Sequence, residues 1–461
     1  MTLRRKQIIE IRYCLLRHKN GEYQLYAPST DVPHKVKVLS EPLPGLLERV
    51  KQEVRLQHGV EVYALRWILP EDIAGVCIGE PTLLVFVNSQ EILDERMWIN
   101  QSLVDTRAAQ CKLSKAEAAL CRHALKALPV QPWSHYRWFP KTRDWLDREL
   151  QDRTLTNCRS GVEQISISSP ACVLGVNSPC GRFFLKTVRD RYRYEVNLTA
   201  WLSRTFPETT PSMVVADVPN ARYLCHSSGH QSLFDLQDFT LWRSALQRLG
   251  TLQRTCVPHV IKIRNLGVPS HRLSQLPDRL ASVLRRSINV LRESSQRLNT
   301  IQLSLIPRAL TTVARLCREL ESFQLPETLV HCDLNPSNII SGGRGPIFID
   351  WTYSAVTHPF LGLSFCLFCC KDPLHILHKY YVALAEGYLE AWTSCGSTMT
   401  HLSGALQAAS ELAPYYNSLV ALTLLLERLP DQPGELTSVC EVVNSIIGYS
   451  DRITRPPAHS R

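Results

Sequence analysis

The stretch Leu329-Val330-His331-Cys332-Asp333-Leu334-Asn335-Pro336-Ser337-Asn338-Ile339-Ile340, followed by Ile347-Phe348-Ile349-Asp350-Trp351, decides the reading of this chain. Its two apolar runs flank Ser341-Gly342-Gly343-Arg344-Gly345, a turn composition that predicts a hairpin. The hairpin brings Asn338, at the head of its first strand, close to Asp350, just past the end of its second. Asp333 stands five residues before Asn338, in a loop ahead of Pro336. Phosphoryl transfer from a nucleotide needs such a set. One carboxylate orients or deprotonates the attacking hydroxyl, while an amide oxygen and a second carboxylate hold Mg²⁺ against the phosphates. Asp333 is thus the candidate base. Asn338 and Asp350 are the candidate ligands of Mg²⁺, a hard cation that takes oxygen donors. His331 is expected to hydrogen-bond the backbone around Asp350 and shape the loop, not to act as the base.

At 461 residues the chain exceeds one ordinary core, so two or three domains are expected. Its 44% hydrophobic and 20% charged residues are those of a globular protein. Fifty-two basic residues against 42 acidic ones leave a net charge of +10, spread along the sequence. A diffuse excess suits anionic ligands such as nucleotides and lacks the clustered basic face of a nucleic-acid binder. The longest apolar run, Phe360 to Cys370, is far short of the ~20 residues that span a bilayer. The run after Arg4, Arg5 and Lys6 is broken by Glu10 and Arg12, a poor signal peptide. Nucleic acid and membrane are therefore set aside as partners, and a cytoplasmic protein is expected. The 16 scattered cysteines read as reduced thiols. Cys366, Cys369 and Cys370 read as core packing.

Residues 8–27 read as a hairpin about Asn20-Gly21. A helix is expected from Leu43 to His58, striped by Leu46, Leu47, Val50 and Val54 and stopped by Gly59. Strands over Val60–Ile68 and Thr82–Val87 follow, and Ser114-Lys115-Ala116-Glu117 is a capping box opening a helix to Leu128. The pattern around residues 38–60 resembles a Nudix fold, with Glu53 and Gly59 in place. Leu56 and Gln57 replace the two later acids of that family's box, so such a domain would be hydrolytically dead; a generic α+β domain fits the same pattern. Trp, Pro and Arg over 129–145 mark a boundary before a helix at Lys141–Leu150. Strands are expected over Val162–Ser168, Cys172–Val176 and Arg182–Val188, then a helix carrying Glu195, Leu198 and Leu202. The expected division is 1–130, a small α/β domain; 131–235, a β-rich small lobe with a linker helix; 236–450, a helical large lobe; and 451–461, a disordered tail.

His331-x-Asp333-x4-Asn338 with Ile349-Asp350-Trp351 resembles the aminoglycoside phosphotransferase and choline kinase-like superfamily. The resemblance runs from about Trp133 to Tyr449 and includes Leu249–Gln253, Leu266–Pro269 with Arg272-Leu273, and Thr357–Leu361. It implies an α+β, protein-kinase-like bilobal fold, here preceded by the Nudix-like domain. It also implies Mg²⁺, ATP or GTP as phosphate donor, and a hydroxylated small molecule as acceptor. Lys186, ending Phe183-Phe184-Leu185-Lys186, is the candidate strand lysine for the α- and β-phosphates. Glu195 would hold its ammonium, with Asp190 also near, and the backbone around Leu224 would bind the adenine edge in a linker at Arg222–His226. The late helices, about His375–Ser394 and Leu402–Leu429, are expected to face the acceptor, with Glu386, Glu390 and Glu411 as possible partners of a cation.

The sequence departs from the superfamily at three places. Cys332 replaces a common Gly, a change expected to be harmless. Asn335 replaces a His, and Gly362 an Asp that braces the catalytic loop. The turn Ser168–Ala171 has no glycine, which the superfamily tolerates, and contains Pro170. The expected function is a nucleotide-dependent O-phosphotransferase for a metabolite or antibiotic. The alternative is a catalytically weak, kinase-fold nucleotide sensor or scaffold. Gly362 and the degenerate front domain favour it; the intact Asp333, Asn338 and Asp350 oppose it.

Overall fold

The computed structural model describes residues 8–19, 22–27, 34–39, 43–60, 62–68, 82–87, 97–99, 101–110, 113–125, 131–135, 137–151, 161–178, 181–228, 231–236, 238–293, 298–363, 381–393, 396–429 and 436–454. The chain divides into two compact units, Met1–Arg189 with Arg428–Glu435 and Asp190–Glu427 with Leu436–Arg461. Asn20-Gly21, Cys366–Cys370, the basic N-terminus and the tail after Thr454 fall outside the described residues.

In the first unit β1 (Ile8–Lys19) has three partners. It runs antiparallel to β2 (Glu22–Tyr26) through Leu16–Lys19 and to β3 (His34–Leu39) through Ile8–Tyr13. After α1 (Leu43–His58) come β4 (Val62–Ile68) and β5 (Thr82–Val87), and β5 lies parallel to β1. With β6 (Trp98–Ile99) the order is β4-β5-β1-β2-β6, and β3 pairs with β1 off this path. The parallel pair explains why Tyr13, Cys14, Leu15 and Leu16 are all buried, where simple alternation predicts one wet face. Leu47, Val50 and Val54 of α1 cover one face, against Tyr13, Leu15, Val62, Ala64, Leu83 and Val85. Gly59 ends the helix as expected, its N–H on the Arg55 carbonyl at 2.7 Å.

Next come α2 (Gln101–Ala109), α3 (Lys115–Leu125) and α4 (Trp138–Gln151). The α3 capping box is reciprocal: Glu117 N–H to Ser114 Oγ is 3.2 Å and Ser114 N–H to Glu117 Oε2 is 2.7 Å. Phe139 of α4 stacks on Tyr63 at 5.1 Å and covers the second face of the sheet. The meander β7 (Val162–Ile167), β8 (Ala171–Ser178) and β9 (Gly181–Val188) completes the unit. Buried Gln164 fastens it to β4. Its amide accepts from Ala64 N–H at 2.8 Å and donates to the Ala64 carbonyl at 2.9 Å, where β4 bulges. Losing one partner of such a pair leaves a buried polar group unsatisfied, at about 1–3 kcal/mol. The clamp ties β7 to β4 within the unit Met1–Arg189.

The second unit is mainly helical. It opens with α5 (Tyr194–Thr205) and the hairpin β10 (Met213–Asp217) and β11 (Arg222–His226). The expected linker at Arg222–His226 is therefore a strand, because Tyr223, Leu224 and Cys225 form a buried run in register with β10. Asp238 caps α6 (Phe239–Cys256), which α7 (Val260–Asn265), α8 (Leu276–Arg292) and α9 (Thr300–Glu321) follow. Between helices lie β12 (Thr328–Val330), the hairpin β13 (Ile339–Gly342) and β14 (Gly345–Phe348), and β15 (Ala355–Thr357). β15 pairs antiparallel with β12 on one side. On the other it meets Pro269–His271, with Val356 N–H to Pro269 O and His271 N–H to Val356 O both 2.8 Å. α10 (Tyr381–Thr393), α11 (Met399–Arg428) and α12 (Leu436–Thr454) close the unit. α10 crosses α6 at Gly250, where any Cβ would sit 2.8 Å from the Tyr388 carbonyl. Among the described residues no helix is long and apolar enough to cross a membrane.

Candidate active site

β12 delivers the chain into the loop His331–Asn335, and a 3-10 turn, Pro336–Asn338, returns it into β13. Asn335 organises this loop twice. Its Oδ1 accepts from Ser337 N–H at 3.0 Å and caps the turn, while its Nδ2 donates to Asp333 Oδ1 at 3.2 Å. Asn338 Nδ2 donates to the Asp333 carbonyl at 2.9 Å and to Asp333 Oδ2 at 3.2 Å. Both Asp333 oxygens are thus oriented by amides, and Asn338, its NH₂ spent on Asp333, has its Oδ1 left for a cation. The expected hairpin forms, with Gly342 opposite Gly345 and Ile339 opposite Phe348. Ile349 N–H donates to the Asn338 carbonyl at 3.0 Å, so the residue after this pairing is Asp350.

Asp350 adopts φ 63°, ψ 65°, a left-handed conformation uncommon outside glycine, Asn and Asp. His331 does what its position suggested: its Nε2 lies 2.8 Å from the Ile349 carbonyl, and its ring packs 4.6 Å from that of Trp351. The loop of Asp333 and the turn of Asp350 are thereby fixed to each other. Asp350 and Asn338 together supply oxygen donors of the kind Mg²⁺ takes when substrate phosphates and water complete its shell. Among the described residues no cluster of three or more His, Cys, Asp or Glu could hold a metal by itself. The donor set fits a metal arriving with a nucleotide.

The sequence profile of the phosphotransferase enzyme family matches residues 179–396. Over this stretch the chain is similar to the phosphotransferase enzyme family. The chain is a kinase-type, small-molecule phosphotransferase whose acceptor is an alcohol group, and its α+β fold, with a sheet lobe and a helical lobe, is protein-kinase-like. Among solved structures it is similar to a macrolide 2′-phosphotransferase from Brachybacterium faecium (14% identity, TM-score 0.45, 70% of this chain and 100% of that one). It is similar also to an ethanolamine kinase from Plasmodium vivax (14%, 0.46, 72% and 93%) and a choline kinase from Cryptosporidium parvum (12%, 0.47, 68% and 96%). No curated protein matches the sequence.

Two departures from the phosphotransferase pattern read differently in the structure. Cys332 is not neutral in backbone terms: its φ is 58°, a conformation that costs a side-chain-bearing residue roughly 1–2 kcal/mol. Its thiol lies 3.3 Å from Tyr416 Oη, and Tyr416 Oη lies 2.9 Å from His271 Nδ1, so a buried polar chain backs the loop. Burial pushes the Cys332 thiol up to about 12 and the His271 imidazole down to about 4. Gly362, which lacks the family's carboxylate, is closely packed. The segment Pro359–Leu363 is fully buried, and a Cβ on Gly362 would meet Val330 Cγ1 at 2.3 Å. The backbone itself packs against the strand that carries the loop.

Lys186 is buried on β9, opposite Val173. Lysine is seldom found so deep without a purpose. In the turn Ser168–Ala171, Ser168 N–H and Oγ both meet the Ala171 carbonyl at 2.9 Å, while the Pro170 carbonyl accepts from Arg189 N–H at 3.0 Å. Glu195 is fully buried in the first turn of α5, accepting from Tyr223 Oη at 2.9 Å and Thr352 Oγ1 at 2.7 Å. Leu224 is buried within β11. Of the acids on the late helices, Glu390 pairs with Arg243 at 2.8 Å, Glu386 is exposed and Glu411 half-buried. Sequence reading missed Thr352, Tyr416 and His271. Polar residues beside a catalytic motif are common, and only their distant partners mark these.

Proposed function

We propose that the chain transfers the γ-phosphate of ATP or GTP to a hydroxyl of a small metabolite or antibiotic. Asp333 receives or orients the acceptor's hydroxyl proton. The observation that supports this most is the double amide grip on its carboxylate by Asn335 and Asn338, which holds the base in one geometry before the acceptor arrives. Asn338 Oδ1 and Asp350 would hold Mg²⁺, which when bound neutralises charge on the transferring phosphate. Lys186, buried on β9, is assigned the α- and β-phosphates. The test is transfer of label from γ-labelled ATP and GTP, with Mg²⁺, to a panel of hydroxylated acceptors that includes macrolides, choline and ethanolamine. Label is expected on one acceptor class and from one preferred nucleotide. Bound nucleotide with no label leaving it for any acceptor or for water would return the sensor reading.

A further inference from the structure

Thr352 lies two residues beyond Asp350 in the 3-10 turn Trp351–Tyr353, and its side chain is only 2% exposed. Its Oγ1 is 2.6 Å from Asp350 Oδ1 and 2.7 Å from Glu195 Oε2. Glu195 is in turn bonded by Tyr223 Oη, and the neighbouring Tyr194 Oη donates to the Thr352 carbonyl. The first turn of α5 therefore holds Thr352 by both its main chain and its side chain. Ring packing of Tyr192 on Tyr353, at 5.7 Å, secures the next residue in the same way.

Asp350 is a single residue in left-handed backbone at the exit of a strand, and its carboxylate must present one fixed edge to be a useful ligand. A buried hydroxyl in contact with one of its oxygens fixes that edge. The hydroxyl has one proton, which it shares between Asp350 and the fully buried carboxylate on α5, so the position of Glu195 sets how the hydroxyl meets Asp350. Buried groups of this kind keep their places because leaving any of them unpaired is costly.

We propose that Thr352 is a positioning residue for phosphoryl transfer: its hydroxyl ties Asp350 to Glu195 and sets the orientation in which Asp350 receives the Mg²⁺ of a bound nucleotide. This rests on Asp350 being the metal ligand of the proposed function. Thr352→Val keeps the shape and removes the hydroxyl; Thr352→Ser keeps the hydroxyl. Nucleotide affinity is measured by titration calorimetry with and without Mg²⁺ in the wild type and both variants, after ligand-free melting shows each is folded. In Thr352→Val the Mg²⁺-nucleotide Kd is expected to rise about tenfold, the size of one hydrogen bond to a charged group. Metal-free affinity stays put, and Thr352→Ser recovers most of the loss. Equal affinity in all three proteins overturns the proposal, as does a loss of the same size with and without Mg²⁺. A wild type whose nucleotide binding ignores Mg²⁺ refutes instead the assignment of Asp350 itself, and the proposal with it.

Discussion

At the end of α1, in the first unit, polar side chains are bonded to one another. Tyr13 Oη donates to Gln57 Oε1 at 2.6 Å, His58 Nε2 lies 2.8 Å from the same hydroxyl, and Leu56 is 78% exposed. At the end of β14, in the second unit, the polar groups are carboxylates and an amide whose partners orient them without covering them. Asp333 is held by Asn335 and Asn338, and Asp350 by Thr352. Both regions sit where a chain leaves a regular element, the geometry that displays side chains to a phosphate. The difference lies in the charges. A phosphate–metal site needs several anionic oxygens. The first region carries Leu56 and Gln57 at its end, and its imidazoles lie ring to ring, 5.3 Å apart at His34 and His58.

The comparison breaks most visibly at Asp333. Asp333→Asn should lower transfer by about 10²- to 10⁴-fold, the usual contribution of a general base, while nucleotide affinity stays within about twofold. Steady-state kinetics with nucleotide titration checks both, and a parallel loss of affinity would place Asp333 among the binding groups instead.

The next effect is on stability. Gly362→Asp, which would restore the family's carboxylate, should destabilise the fold by about 1–3 kcal/mol through overpacking against Val330. Denaturant midpoints measure this, and Gly362→Asp combined with Val330→Ala should recover part of the loss. A single variant as stable as the wild type would mean the loop tolerates the acid after all.

In the first unit the expected signal is pH-dependent. Burial, with His34 adding to it, lowers the His58 imidazole to about 4 from its ordinary 6.5. The unfolded chain then binds more protons than the folded one between these values, so stability is full above about 6.5 and is lost as pH falls toward 4. Denaturant midpoints of the full chain across that range should slope in the wild type and slope less steeply in His58→Gln, where buried His271, also lowered to about 4, carries part of the remainder. An unchanged slope would assign the dependence to other groups. The smallest effect is expected at Leu56: Leu56→Glu should alter stability by less than about 0.5 kcal/mol and release no phosphate from nucleoside diphosphate compounds. Release in that variant would show that the front domain is closer to catalysis than its bonding suggests.

The hairpin, which sets the Asn338 carbonyl on the Ile349 N–H beside Asp350, and the bond of His331 to the Ile349 carbonyl were legible because each depends on residues a few positions apart. α1 and β5 were legible for the same local reason, periodicity bounded by turn residues. The parallel contact of β1 with β5 was not, since nothing near β1 announces a partner some 70 residues on. Thr352 escaped likewise, its decisive partner being Glu195, 157 residues away. Cys332 and Gly362 were misjudged because a family pattern gives the residue type expected at a position. It does not give the backbone angle, or the Val330 methyl that occupies the space.

The most direct test of a working nucleotide site is the melting temperature with ATP and with GTP, each with and without Mg²⁺, in the wild type and in Asp350→Ala. A ligand at about 100 times its Kd stabilises the folded state by about 2.7 kcal/mol, so one nucleotide should raise the wild-type melting temperature by several degrees, only with Mg²⁺, and the rise should vanish in Asp350→Ala. A rise of equal size in both proteins would contradict the role given to Asp350, and no rise with either nucleotide would contradict the site as a whole.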